Sequence, residues 1–112
     1  MTDRPTSHTP ATSPCLEIAV YTVHAAEADA FPRVQAAMHD TLRALPGFIG
    51  SERLRGVNTP TLFADYIHWA SRAAAEAASA QMPSHPGADR FLAAIETMRT
   101  FAHLPITPAP DA

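Results

Sequence analysis

Apolar positions recur at two periods along the chain, and the alternation between them predicts the order of elements. Leu16 to His24 alternates, with Leu16, Ile18 and Val20 on one face and Ala19, Tyr21 and Val23 on the other. Both faces are largely apolar, so this first strand is expected to be covered on both sides. Phe31, Val34, Met38, Leu42 and Leu45 then follow at steps of three and four, the stripe of an amphipathic helix. Asp29 is positioned to cap it, and Pro32 is tolerated in its first turn. Pro46-Gly47 ends the helix, and Phe48 to Val57 returns to strand character, with enough charge at Glu52, Arg53 and Arg55 to suit an edge.

Asn58-Thr59-Pro60 turns the chain into a third strand, Thr61 to Ala70. There Phe63, Asp65, Ile67 and Trp69 share one face, and Leu62, Ala64, Tyr66 and His68 share the other. Ser71 is a predicted N-cap for an alanine-rich helix to about Gln81. Met82 to Gly87 interrupts that helix. A further helical piece follows, with Ala88, Phe91, Leu92 and Ile95 on one side, and Met98 to Ile106 closes the pattern as strand four. The order β-α-β-β-α-β predicts an α+β, ferredoxin-like domain: a four-stranded antiparallel sheet with both helices on one face. The uncovered face still carries apolar side chains, which predicts a homodimer joined sheet to sheet.

Composition narrows the picture. The domain is expected over residues 15–106, between a disordered arm (1–14, rich in Thr, Ser and Pro) and a short flexible tail (107–112). All eight basic residues are Arg, spread among acids at a net charge of −3, which gives no footprint for nucleic acid. The absence of Lys excludes a lysine Schiff base. Cys15 stands alone, so neither an internal disulfide nor a cysteine-based zinc site can form, and no histidine spacing suggests a metal. No apolar run is long enough for a membrane span and no signal-peptide core appears, so a cytoplasmic location is expected.

The segments Leu45-Pro46-Gly47-Phe48 and Trp69-Ala70-Ser71-Arg72-Ala73-Ala74 resemble those of the dimeric α/β-barrel superfamily, in its antibiotic-biosynthesis-monooxygenase-like branch. The resemblance extends over residues 16–106. It implies a ligand pocket between helices and sheet, and relatives that include cofactor-free monooxygenases of aromatic polyketides, quinol oxygenases and haem-degrading enzymes. Trp69 alone carries over, as the strand-end Trp of that family. The Asn that both the monooxygenases and the haem-degrading relatives use has no counterpart, since the only Asn here is Asn58 in a turn.

The candidate chemistry follows from these placements. His24 and His68 end strands one and three; read as parallel neighbours, they gather near one edge of the sheet as candidate catalytic bases for a phenol or enol. Trp69 either stacks on an aromatic ligand or fills the core. Tyr21 and Tyr66 either donate to a bound carbonyl or are ordinary strand tyrosines. Asp65 is a base or pairs with Arg53 or Arg55 on the adjacent strand. His39 flanks the first helix stripe, and His85, in the break after the second helix, is the best haem ligand. The function expected is a cofactor-independent monooxygenase-like protein acting on a small aromatic or enolisable metabolite. The alternatives are a non-catalytic ligand-binding dimer and, third, a haem-binding protein.

Overall fold

The structure is a computed structural model that describes residues 13–110. Strands β1 (Cys15–Val23), β2 (Phe48–Arg55), β3 (Leu62–Trp69) and β4 (Ile95–Pro105) form one antiparallel sheet in the order β2-β3-β1-β4. Helices α1 (Phe31–Arg43), α2 (Arg72–Gln81) and α3 (Ala88–Ala94) cover one face. This is the expected α+β, ferredoxin-like layout. Most of the expected N-terminal arm, residues 1–12, and the end of the expected tail, 111–112, lie outside the described residues.

Local chemistry sets the element ends. Ser71 caps α2 by accepting a hydrogen bond from the Ala74 N–H at 3.0 Å. Asp29 does not cap α1: the cap position is Ala30, without a side-chain bond, and Pro32 occupies the first turn, where a missing N–H is harmless. Gly47 takes φ +84° in the turn from α1 to β2, and its carbonyl accepts from the Ala70 N–H at 2.7 Å. A Cβ there would stand 2.5 Å from the Ala74 Cβ, so the turn and the start of α2 approach each other only through this glycine.

Two details depart from the sequence pattern. β4 begins at Ile95, directly from α3, and Ile95 belongs to the strand rather than to a helix face. The segment from Ile95 to Met98 pairs with Tyr21–Val23, and those ladder bonds outweigh one more helical turn. The ladder is irregular at two points, because Val20 pairs with Thr100 while Tyr21 pairs with Met98, leaving Arg99 as an extra residue, and a second shift follows beyond Thr22. The other departure concerns direction. β1 runs antiparallel to β3, with Leu16 opposite His68 and Thr22 opposite Leu62. The β1-α1-β2 crossover returns the chain in its original direction and the β2-β3 hairpin then reverses it. The parallel arrangement expected for β1 and β3 is therefore incorrect.

The odd-numbered positions of β1 and β3 lie under the helices. Cys15, Tyr21, Val23, Phe63, Ile67 and Trp69 are fully buried there or nearly so. Tyr21, Phe31, Phe63 and Phe91 form an aromatic cluster with centroid separations of 4.8–5.8 Å, edge-on except for the tilted Phe31–Phe91 pair. On the opposite face Leu16, Ile18 and Val20 stay half-buried, so β1 is fully covered on one side only. Leu54 and Leu104 on the flanking strands are exposed. Gly47→Ala should destabilise the fold by about 2 kcal/mol, the scale of a non-glycine residue forced to positive φ, before the collision with Ala74 is added. Urea denaturation measures it, and unchanged stability would show that the turn has room to relax.

Candidate active site

The helix-facing side of the central strand pair is not filled evenly. Ala19 on β1 lies opposite Asp65 on β3, and Ala78 of α2 lies above them. Where larger side chains would close this space, two alanines leave a cavity of about 100 Å³. Met38, Leu42, Ile67 and Phe91 make its apolar wall. Leu92, Met98 and Phe101 also line it and are 44%, 44% and 48% exposed, so they mark an opening beside β4. Three titratable side chains face this apolar space: Glu17, His39 and Asp65.

Asp65 is the hub of the first polar group. Its Oδ2 accepts from the Tyr21 hydroxyl at 2.9 Å, and its Oδ1 accepts from Gln35 Nε2 at 3.0 Å. His39 Nε2 lies 2.7 Å from the same Oδ1, and His39 Nδ1 lies 2.9 Å from Ser51 Oγ. With the proton on Nε2 the ring donates to Asp65 and accepts from Ser51. Gln35 also donates to the Ala64 carbonyl at 3.0 Å, which ties α1 to β3. Burial and the neighbouring Asp65 carboxylate push the Tyr21 phenol far above its ordinary value, so Tyr21 acts as a donor only.

Glu17 is the hub of the second. Its Oε1 accepts from the indole N–H of Trp69 at 3.2 Å and lies 3.2 Å from His103 Nε2. Burial pushes the Glu17 carboxyl above its ordinary value; His103 and the Trp69 donor pull it down, and Asp65 adds a smaller upward push. Glu17 pairs with Ile67 and Asp65 with Ala19, so the two carboxylates are diagonal neighbours on one face.

Several expected residues fall elsewhere. His24 follows the last residue of β1, while His68 pairs with Leu16 near the start of that strand. Antiparallel pairing thus places the two histidines at opposite ends of the sheet, and neither lines the cavity. Tyr66 and His68 sit on the open face with rings 5.1 Å apart. Trp69 is fully buried, edge-on to Phe48 at 5.8 Å, and reaches the cavity only through Glu17. Asp65 forms no ion pair with Arg53 or Arg55 among the described residues. Arg55 instead bonds the carbonyls of Pro60 and Ala28 and covers the Phe63 ring. His85 is not among the residues lining the cavity, where a haem ligand would have to point. Among the described residues no group of three or more His, Cys, Asp or Glu gathers to hold a metal ion, and no helix is long and apolar enough to cross a membrane.

Glu17, Gln35, Ser51 and His103 are absent from the sequence-derived candidates. Glu17 had a usable signal, as the one charged residue on the odd face of β1. Gln35 and His39 occupy buried stripe positions of α1, where polar identity hides a core location.

Comparison with known proteins places this geometry. No curated protein matches the chain. Among solved structures it is similar to a mutant form of SnoaB, a cofactor-independent oxygenase from Streptomyces nogalater, with 23% identity over 88% of this chain and 96% of that one and a TM-score of 0.68. PA3566 from Pseudomonas aeruginosa matches at 22% identity over 91% of this chain and 100% of its own, also at a TM-score of 0.68. Rv0793 from Mycobacterium tuberculosis follows at 19% identity over 89% and 99%, with a TM-score of 0.60. These likenesses establish a shared fold. The family model for antibiotic biosynthesis monooxygenase matches residues 14–97, most of the chain, and the protein therefore belongs to the antibiotic biosynthesis monooxygenase family.

Proposed function

We propose that the protein is a cofactor-independent oxygenase acting on a small aromatic or enolisable metabolite held between helices and sheet. The observation that carries this reading is Glu17: a largely buried carboxyl with raised proton affinity on the floor of an apolar cavity. A fold neighbour that is a cofactor-independent oxygenase lends support. Glu17 is a better base than Asp65, whose oxygens are already engaged by Tyr21, Gln35 and His39. Among the described residues only Oε1 of Glu17 is engaged, so Oε2 is the atom to receive a proton.

The chemistry follows in balanced steps. Glu17 takes the proton of a phenolic or enolic hydroxyl, which moves one negative charge within the cavity rather than adding one. The resulting anion passes one electron to O₂, and the substrate radical and superoxide combine to form a C–O bond. Protonation yields a hydroperoxide; loss of the ring proton with O–O cleavage gives a quinone or ketone. The substrate gains one oxygen atom and loses two hydrogens, the second oxygen leaves as water, and Glu17 returns to its carboxylate. Trp69 and His103 act through Glu17 by orienting its carboxyl.

The reading includes a homodimer formed through the uncovered sheet face, supported by the apolar side chains of Leu16, Ile18, Val20, Leu54 and Leu104 on that side. Light scattering should give twice the chain mass, and Ile18→Asp should shift the protein to monomer. A parent chain of single mass at micromolar concentration would remove the dimer.

Oxygen uptake with a panel of hydroxynaphthalenes tests the catalytic claim. Glu17→Gln, which keeps the shape of the acceptor, should lower turnover about 100-fold while ligand binding survives. Quenching of Trp69 fluorescence without any oxygen uptake across the panel would leave the cavity a binding site only.

The same substitution has a stability signature. The carboxyl of Glu17 holds its proton more tightly in the folded chain than in the unfolded one. Its contribution therefore favours folding below the ordinary carboxylate range and is lost as pH rises through the raised folded value. Glu17→Gln should be more stable than the parent at neutral pH, and the gap should close as pH falls through that window. Denaturant midpoints measured across pH check it; a difference that stays constant with pH would contradict the burial argument.

A further inference from the structure

We propose a second activity on the outer side of the Asp65 hub: Ser51, His39 and Asp65 form a nucleophile relay that hydrolyses short-chain acyl esters at the seam between α1 and β2. The proposal goes beyond the oxygenase reading, which gives proton transfer to Glu17, and does not rest on it.

Connectivity is the first argument. A hydroxyl is a weak nucleophile unless a base within hydrogen-bond reach takes its proton and a third group orients that base. Ser51 Oγ lies 2.9 Å from His39 Nδ1, and His39 Nε2 lies 2.7 Å from Asp65 Oδ1. Asp65 holds the proton on Nε2, which leaves the Nδ1 lone pair to accept from Ser51. Asp65 is itself fixed by Tyr21 at 2.9 Å and by Gln35 at 3.0 Å. The His39 side chain is buried, so packing rather than solvent sets the ring's orientation. Such a constellation is defined by its roles, and the two ring nitrogens can exchange those roles.

Access is the second argument. His39 and Asp65 face the cavity, whereas Ser51 is half-buried on β2, outside the cavity lining. Among the described residues β2 pairs with β3 alone, so its other side is an open edge. Bonded and non-bonded rungs alternate along an antiparallel ladder. The Gly56 N–H bonds the Leu62 carbonyl at 2.8 Å, and the Val23 N–H bonds the Thr61 carbonyl at 2.9 Å. Ile67 therefore bonds toward β1, and Ser51 opposite it falls on a non-bonded rung. The Ser51 N–H points out of the sheet edge, where it can donate to an oxyanion formed beside its own Oγ. The next residue on that face is Arg53, whose exposed side chain adds positive charge. Glu52 and Leu54 are exposed as well, so the site lies at the surface and suits a small acyl group.

The reaction needs only water. Ser51 Oγ bonds to the acyl carbon while its proton passes to His39 Nδ1, and Asp65 stabilises the imidazolium. The bond to the leaving oxygen breaks, and Nδ1 returns the proton to the alcohol. Water then attacks the acyl-serine, again through Nδ1, and releases the carboxylic acid with the Ser51 hydroxyl restored.

Incubation with p-nitrophenyl acetate should release p-nitrophenol in a burst of about one equivalent per chain, followed by slower turnover. Diisopropyl fluorophosphate, which reacts with activated serines rather than ordinary hydroxyls, should label Ser51, as located by peptide mass spectrometry. Ser51→Ala should slow hydrolysis by about 100-fold or more and remove the label. Ser84→Ala, an exposed serine outside the relay, should change neither. A parent chain that takes no label at Ser51 would overturn the proposal, whatever the folding of the variants. So would a folded Ser51→Ala chain that hydrolyses the ester at the parent rate, since a hydroxyl that merely satisfies a buried ring gives both results. Oxygen plays no part in these measurements, so the oxygenase reading stands or falls separately.

Discussion

The pairing of β1 with β3 governs what the rest of the molecule can do. It sets Ala19 against Asp65 and Glu17 against Ile67, and thereby lays two carboxyl groups and one small residue on the floor beneath the helices. A cavity exists because one rung of that ladder is short of side-chain volume. The helices do not create the space; they roof it, and the bulk of Phe31, Phe63 and Phe91 closes the sheet at the far end. Polarity follows from the same register. Buried carboxyl groups require partners, and the partners come from three directions: Tyr21 within the sheet, Gln35 and His39 from α1, Trp69 and His103 from the strand ends.

This division of labour separates the two acidic groups. Asp65 is satisfied on both oxygens and binds α1 to the sheet, so it contributes to architecture as much as to chemistry. Glu17 is satisfied on one oxygen, buried enough to hold its proton more firmly, and set beside the opening flanked by Met98 and Phe101. Two carboxyl groups a single rung apart thus acquire unequal environments, and that inequality is why the proposed proton transfer is given to Glu17 rather than to Asp65.

The order of elements was legible in the sequence because hydrophobic period, Pro46-Gly47 and Ser71 all agreed with one another. Asp65 stood out as a carboxylate on an apolar strand face. The rest of the site was hidden for physical reasons. His39 was named beside the helix stripe, but Gln35 looks like a surface residue of a helix until Asp65 is known to lie beneath it. Trp69 reads equally well as a ligand platform or as core, and only its zero exposure decides. The error over His24 and His68 was one of strand direction, which residue composition does not encode; it follows from counting how often the chain reverses between β1 and β3.

The extra residue at Arg99 has a wider consequence. Because the ladder slips there, Met98 and Phe101 point to the same side of the sheet although they are three positions apart. The extra residue absorbs the change of parity, so Phe101 and His103 keep to the helix side with Met98 while Thr100, Ala102 and Leu104 stay on the open side. Were Arg99 drawn into the ladder opposite Val20, Phe101 and His103 would turn to the bare side instead. Loss of Arg99 leaves every other pair as it stands, whereas loss of one residue from the regular stretch beyond it would exchange the cavity wall with the open face. The strand thus carries one position where its length can change without moving a side chain across the sheet.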